Sequence, residues 1–152
     1  MGVIKVFDKA VLLASLSHLG QRDKGGRSYI LHPLRIAFRL RTADEELMSI
    51  AVLHDAIEDS TEMSVNRLRN EGFSERVITA LELLTHDPKV DYDDYIDAMR
   101  FNVDALRVKR EDLRDNSDIT RLKGLREKDF QRMEKYIRAF TKIDGYLKQY
   151  GY

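Results

Sequence analysis

The chain has 152 residues, 43% of them hydrophobic and 34% charged, a size and composition that fit one globular domain. The absence of cysteine excludes disulfides, thiolate metal sites and thiol nucleophiles together, and no apolar run approaches the roughly 20 residues of a membrane span. The 26 basic and 26 acidic side chains cancel, which argues against a generally basic binder of nucleic-acid polymers.

Ile4, Phe7, Val11 and Ala14 recur at helical spacing and predict a first helix ending near Gly20, with a loop at Asp23-Lys24-Gly25-Gly26. Pro33, after His32, reads as the first position of a second helix that runs to about Leu40. Thr42 and Glu45 have capping-box spacing ahead of a third helix carrying Leu47, Ile50, Ala51 and Ile57. Shorter helices are predicted at about 64–71 and 75–85, the second ended by His86-Asp87-Pro88, because a residue before proline is pushed out of helix. Helices at about 92–99 and 102–116 follow. A long one from 128 to 149 carries Phe130, Met133, Ile137, Phe140 and Leu147 along a face that reads as core or homo-oligomer packing. No strand alternation, repeat or linker interrupts this order. The expectation is an all-α, compact helical bundle spanning 1–152 as a single domain. With no signal-peptide pattern at Met1-Gly2-Val3-Ile4-Lys5, the expected location is the cytoplasm.

Charge is distributed unevenly along this order. Residues 1–41 carry eight basic and two acidic side chains, residues 42–99 four and fifteen, and residues 100–152 fourteen and nine. Solvated helix faces are one reading of the whole pattern. The sharper reading is an acidic cation site flanked by basic groups that attract an anionic substrate.

The acidic third contains His54-Asp55-Ala56-Ile57-Glu58-Asp59. On a continuous third helix, His54 and Glu58 lie four apart, as do Asp55 and Asp59, so both pairs stack on one face. Ionisable groups on an otherwise apolar helix are costly to bury without a purpose, and a divalent cation supplies one. Imidazole with carboxylate and no sulfur suits Mn²⁺, Fe²⁺ or Zn²⁺. His32 is a third candidate ligand and Asp112 a fourth, although spacing alone does not choose Asp112 over Asp115. Arg22, Lys24 and Arg27, just before His32, suit a phosphate chain. His18 reads as a polar residue on an exposed helix edge, and Arg121, Lys123, Arg126 and Lys128 read as plain surface.

His32, then His54-Asp55, then a distant Asp112 resembles the ordered pattern of the HD superfamily of metal-dependent phosphohydrolases. Gly20-Gln21 followed by Gly26-Arg27-Ser28-Tyr29-Ile30-Leu31-His32-Pro33 is similar to the G-Q…G-x-P-Y-I-x-H-P stretch of its RelA/SpoT-type hydrolase domains and small alarmone hydrolases. The same holds for Leu53-His54-Asp55-Ala56-Ile57-Glu58-Asp59, for Leu83-Leu84-Thr85, and for Val108-Lys109-Arg110-Glu111-Asp112 with Asn116.

The resemblance implies one divalent ion, Mn²⁺ in relatives, held by His32, His54, Asp55 and Asp112. It implies that Glu58 and Asp59 orient or deprotonate the attacking water, that Asn116 contacts the substrate's sugar or phosphate, and that Tyr29 lines a nucleoside pocket. The implied reaction is removal of the 3′-pyrophosphate from guanosine tetra- or pentaphosphate. An HD-type phosphatase of another small nucleotide or dinucleotide cofactor, or a silent nucleotide-binding HD domain, is the alternative. One departure stands out. The basic residue that packs on guanine in the family falls on Asp23 here, flanked by Arg22 and Lys24, which puts base preference in question; a carboxylate there could instead accept from guanine's N–H groups.

Overall fold

Helix-favouring residues with few breakers and well-placed caps divide the chain into nine α-helices among the described residues. In the computed structural model, which describes residues 4–152, these are α1 (Val6–Ser17), α2 (Leu31–Arg39), α3 (Glu45–Leu53), α4 (Ala56–Asp59), α5 (Val65–Asn70), α6 (Glu75–Leu84), α7 (Tyr92–Ala98), α8 (Val103–Asn116) and α9 (Glu127–Lys148). A short 3₁₀ turn, Ile119–Arg121, lies between α8 and α9. No strand forms among the described residues, and no helix among them is long and apolar enough to cross a membrane.

The caps explain the boundaries. Ser64, Ser74, Asp91 and Asn102 each accept a backbone N–H at the start of α5, α6, α7 and α8. At α3 the cap is Asp44, which accepts from Glu46 and Leu47, and not the Thr42–Glu45 box; the Thr42 hydroxyl instead accepts the N–H of Asp44. Pro33 occupies the third residue of α2 and not the first, still within the turn whose N–H groups have no helical partner, so its missing donor costs nothing.

Helix α3 is the axis of the bundle. Six of its nine residues, Leu47, Ser49, Ile50, Ala51, Val52 and Leu53, are buried. It packs against α1, α2, α6 and α8, and α9 closes over α8 and α7. Burial of apolar surface of this kind is the main stabilising term, roughly 25 cal/mol per Å². The last helix buries only part of the predicted stripe, Leu147 and the core-packed Phe140. Ala139, Ile143 and Leu147 are in the core, while Phe130 and Ile137 are 56% and 60% exposed.

One departure shapes the site. The predicted third helix does not run through His54-Asp55-Ala56-Ile57-Glu58-Asp59. It stops at Leu53, Asp55 adopts φ −101° and ψ −5°, and the chain restarts as the one-turn α4. The stacking of His54 on Glu58 along one continuous face is therefore replaced by a corner.

Candidate metal centre

Three buried side chains from three helices converge at that corner. His32 comes from the first turn of α2, His54 from the residue after α3, and Asp112 from the third turn of α8. Each offers a ligand atom within 4.8 Å of the other two. His32 Nε2 lies 3.1 Å from Asp112 Oδ1 and 3.5 Å from Asp55 Oδ2. His54 Nε2 lies 3.1 Å from Asp55 Oδ2 and 3.4 Å from Asp112 Oδ1.

Both Nε2 atoms are buried and have no hydrogen-bond partner. An unpartnered buried imidazole nitrogen is costly, and two of them facing two carboxylate oxygens mark a place for a cation. Adjacent donors around an octahedral ion with bonds of about 2.1 Å stand roughly 3 Å apart, close to the spacings seen. The donor set, two imidazoles and two carboxylates, fits a divalent metal of the Mn²⁺–Zn²⁺ class.

The opposite ring nitrogens fix the rings. His54 Nδ1 bonds the carbonyl of Ala51 at 2.7 Å, within the last turn of α3. His32 Nδ1 bonds Asp115 Oδ2 at 2.6 Å. This geometry separates the two aspartates that spacing could not. Asp112 faces Nε2 of both histidines, whereas Asp115, one turn further along α8, grips the back of His32. Asp115 is itself bound by Arg35, Arg39 and Arg121. These cations and His32 outweigh the cost of burying it and hold its carboxyl below the usual carboxylate range. Burial alone would lower the pKa of His32, but the surrounding carboxylates of Asp112, Asp115 and Asp55 lift it to about 9.

Asp112 and Asp55 are likewise held from outside. Lys109 Nζ bonds Asp112 Oδ2 at 2.8 Å and Asn116 Nδ2 bonds Oδ1 at 2.7 Å. Burial would strip the charge from Lys109, but Asp112 keeps its pKa above the ordinary lysine value. The Tyr29 hydroxyl donates to Asp55 Oδ2 at 2.5 Å, and burial together with the Asp55 charge raises its own pKa.

The centre opens into a cavity of about 480 Å³. Arg22, Lys24, Tyr29 and Asn116, all predicted from sequence to meet substrate, line it. Arg27 is exposed and not among the lining residues. Glu58 faces the cavity from α4, accepts the backbone N–H of His86, and has its pKa raised by burial. Asp59 turns toward the α1–α2 loop, where its Oδ2 accepts Gln21 Nε2 at 2.9 Å and stands 3.8 Å from His18 Nδ1; it is not among the lining residues. His18 is not on an exposed edge: it is 2% exposed, bonded to Gln21 and packed on the Tyr29 ring.

Asp23 lines the cavity, with its carboxylate already engaged within the protein. Its side chain is only 4% exposed, Oδ1 accepts the N–H groups of Gly25 and Arg27, and Oδ2 accepts from Arg121. Arg121 is not plain surface. It lines the cavity and ties Asp23 to Asp115, across 98 and 6 residues of sequence respectively. A Cβ on Gly25 would meet the Arg121 carbonyl at 2.5 Å, so the close approach of these two loops needs glycine. Sequence reading also missed the aromatic wall of Tyr92, Tyr95 and Tyr136. Lys135 sits 4.6 Å above the Tyr92 ring, while Lys109 stands 5.3 Å from the Tyr95 ring centre. Their spacing in α7 and α9 is that of ordinary core residues, so no local signal sets them apart.

No known protein-family model matches the chain. It is 36% identical over 86 residues to the guanosine-3′,5′-bis(diphosphate) 3′-pyrophosphohydrolase of Aquifex aeolicus, a match covering 55% of this chain and 12% of that protein. It is 40% identical over 58 residues to a GTP pyrophosphokinase of Brucella melitensis, covering 37% of this chain and 8% of the relative. The chain thus spans about a tenth of the length of these curated relatives. Its fold matches that of a metazoan ortholog of SpoT that hydrolyzes ppGpp, with a TM-score of 0.73 and 18% identity over 99% of this chain and 98% of the other.

Proposed function

We propose that this chain, an HD-type helical domain related to the RelA/SpoT proteins, is a metal-dependent hydrolase that removes the 3′-pyrophosphate of guanosine tetra- and pentaphosphate. The observation that carries the reading is the pair of unpartnered, buried Nε2 atoms of His32 and His54 facing Asp112 and Asp55. In this reading His32, His54, Asp55 and Asp112 hold one divalent ion, taken as Mn²⁺ from the family resemblance, and the protein works in the cytoplasm. When bound, such an ion supplies Lewis-acid polarisation of a phosphoryl oxygen and makes water easier to deprotonate.

The chain's own residues do the rest. Glu58, raised in pKa and open to the cavity, takes a proton from the attacking water. The water oxygen bonds to the phosphorus on the substrate's 3′ oxygen, and the bond between that phosphorus and the 3′ oxygen breaks. The products are pyrophosphate and a 3′-hydroxyl, which receives a proton. Asp59 acts from the Gln21 side and helps to order the water's approach. Lys109 and Asn116 hold Asp112 in place, with the amide of Asn116 also bordering the substrate space. Arg22 and Lys24 attract the phosphates, and the tyrosine wall receives the nucleoside.

Asp23 borders the cavity, but its carboxylate is already engaged by the N–H groups of Gly25 and Arg27 and by Arg121, which leaves it less capacity to read a base. This favours weak discrimination among bases. The test is a nucleotide panel presented to Mn²⁺-loaded protein, with pyrophosphate and phosphate release distinguished. The expected result is Mn²⁺-dependent pyrophosphate release from guanosine tetraphosphate. Phosphate release from other nucleotides, with guanosine tetraphosphate untouched, would make the protein an HD-type phosphatase of a different nucleotide. Binding without turnover would make it a silent nucleotide-binding domain.

A further inference from the structure

Glu58 takes the water's proton in the reading above, yet its own element gives it little support. Helix α4 is a single turn of four residues, and no side chain caps its start. Among the described residues, the Glu58 carboxylate accepts one hydrogen bond, from the backbone N–H of His86. That donor lies 28 residues further along the chain, in the connection between α6 and α7. Whatever fixes this connection therefore fixes Glu58.

The connection is Thr85-His86-Asp87-Pro88-Lys89-Val90. Thr85 leaves α6 with φ −83° and ψ 112°, an extended conformation that takes the next N–H out of the helical ladder. Further on, the N–H of Val90 donates to the Asp87 carbonyl at 2.9 Å, and that of Lys89 to Asp87 Oδ1 at 3.0 Å. The His86 side chain joins the two ends. Its Nε2 lies 2.8 Å from the Val90 carbonyl oxygen, which can only accept, so Nε2 carries the proton. The imidazole packs on the Tyr95 ring at 4.5 Å and meets the Tyr92 ring edge-on at 5.8 Å. Tyr95 is buried and its hydroxyl donates to the Leu84 carbonyl at 2.6 Å, so the surface under the imidazole is itself fixed. A phenyl ring could stack there equally well. The imidazole adds the bond that closes the loop.

We propose that His86 is a positioning residue for Glu58: its imidazole locks the 85–90 loop, and the His86 N–H then holds the Glu58 carboxylate in place at the cavity. This rests on the function proposed above and assigns how its base is held. An N–H donor favours the charged form of a carboxylate. Burial raises the Glu58 pKa, and the His86 N–H opposes that rise. Lys109 of α8 assists the N–H, whereas Asp55 and Asp59 of Glu58's own segment add to the rise.

Three variants test this in Mn²⁺-loaded protein. His86→Pro removes the N–H itself, and the extended Thr85 already has the conformation that a residue before proline requires. His86→Phe keeps the stacking without the donor to Val90, and His86→Gln keeps a donor. His86→Pro should lower kcat for guanosine tetraphosphate on the order of tenfold or more, as expected for a misplaced base, with KM and Mn²⁺ binding unchanged. Its acid limb should move to higher pH. His86→Phe should shift both in the same direction by less, and His86→Gln should restore most of what His86→Phe loses. Should His86→Pro fail to fold, the comparison of Phe with Gln carries the same test.

The Glu58 carboxyl is also titrated by ¹³C NMR in diamagnetic, Zn²⁺-loaded protein, its signal assigned by its absence in Glu58→Gln. His86→Pro and His86→Phe should raise its pKa. An unmoved pKa and acid limb, or equal losses in His86→Phe and His86→Gln, would overturn the proposal. So would a raised KM with kcat kept, which would make the imidazole a substrate contact. A wild type that hydrolyses nothing, with a Glu58 pKa that still responds to His86, would retain the positioning and lose the proposed function.

Discussion

At the buried centre the carboxylates of Asp112 and Asp115 are each held by several partners. Asp112 is shared by His32, His54, Lys109 and Asn116, and Asp115 by His32 and three arginines. Along the rim formed by 22–28 and 121–132, Lys24, Lys123 and Lys128 stand without carboxylate partners among the described residues, and the one acid between them, Asp129, is engaged elsewhere. The difference follows from solvent. In the interior an unpaired charge costs several kcal/mol, so each must be neutralised and the geometry becomes rigid. At the rim water pays most of that cost, so cations can be left free to meet an anionic ligand. In the proposed function the centre holds the cation and the rim attracts an anionic substrate.

The largest expected effect comes from His54→Ala, which removes a buried donor with no substitute nearby. Metal binding and activity should both fall below detection while helicity by circular dichroism is largely kept. Retained stoichiometric metal would break the centre as described. Next is Glu58→Gln, which should keep the metal and lose roughly 10²–10⁴ in turnover, the usual worth of a general base. Because burial raises the Glu58 pKa, the base form disappears as pH falls through a value above the ordinary glutamate range. The wild type should therefore show an acid limb in kcat that Glu58→Gln lacks. Asp59→Asn should lose less than Glu58→Gln, since Asp59 sits on the Gln21 side; a larger loss would reverse the two roles.

Asp115→Asn sharpens the contrast with Asp112. It touches no Nε2 atom but removes the carboxylate that orients His32, so metal affinity should fall about 10- to 100-fold, as for other partners of metal-binding histidines. An unchanged affinity would reduce Asp115 to a structural ion pair. The raised His32 pKa supplies a smaller, pH-dependent signature. A group whose folded pKa lies above its unfolded value stabilises the fold fully below the unfolded value and loses that effect as pH rises through the folded one. Metal-free protein should thus lose this contribution between about pH 6.5 and about 9, and metal uptake within that window should release protons. Thermal melts and proton release in differently ionising buffers would detect both.

The contrast between centre and rim also sets what could be read from sequence. The helices were legible because apolar periodicity and few breakers leave little choice, and His32, His54 and Asp112 stood out as a motif order. The turn at His54-Asp55 was not, because it involves neither glycine nor proline and depends on how α3 meets α2 and α8. Asp112 and Asp115 are three apart on one helix, and only the position of His32, some 80 residues earlier in the chain, separates their roles. Arg121 was missed for the same reason, since its partner Asp23 lies 98 residues away. The engagement of the Asp23 carboxylate was not legible either, because a local motif carries no record of loop N–H groups folding back onto it.

The claim that everything else depends on is that the corner at His54-Asp55 holds one divalent ion. The direct measurement is anomalous diffraction at the manganese edge from crystals of Mn²⁺-loaded protein. One peak among His32, His54, Asp55 and Asp112, with Asp115 bonded only to the far nitrogen of His32, is the predicted result. A peak elsewhere, Asp115 in the coordination sphere, or no peak at saturating Mn²⁺ would contradict the account.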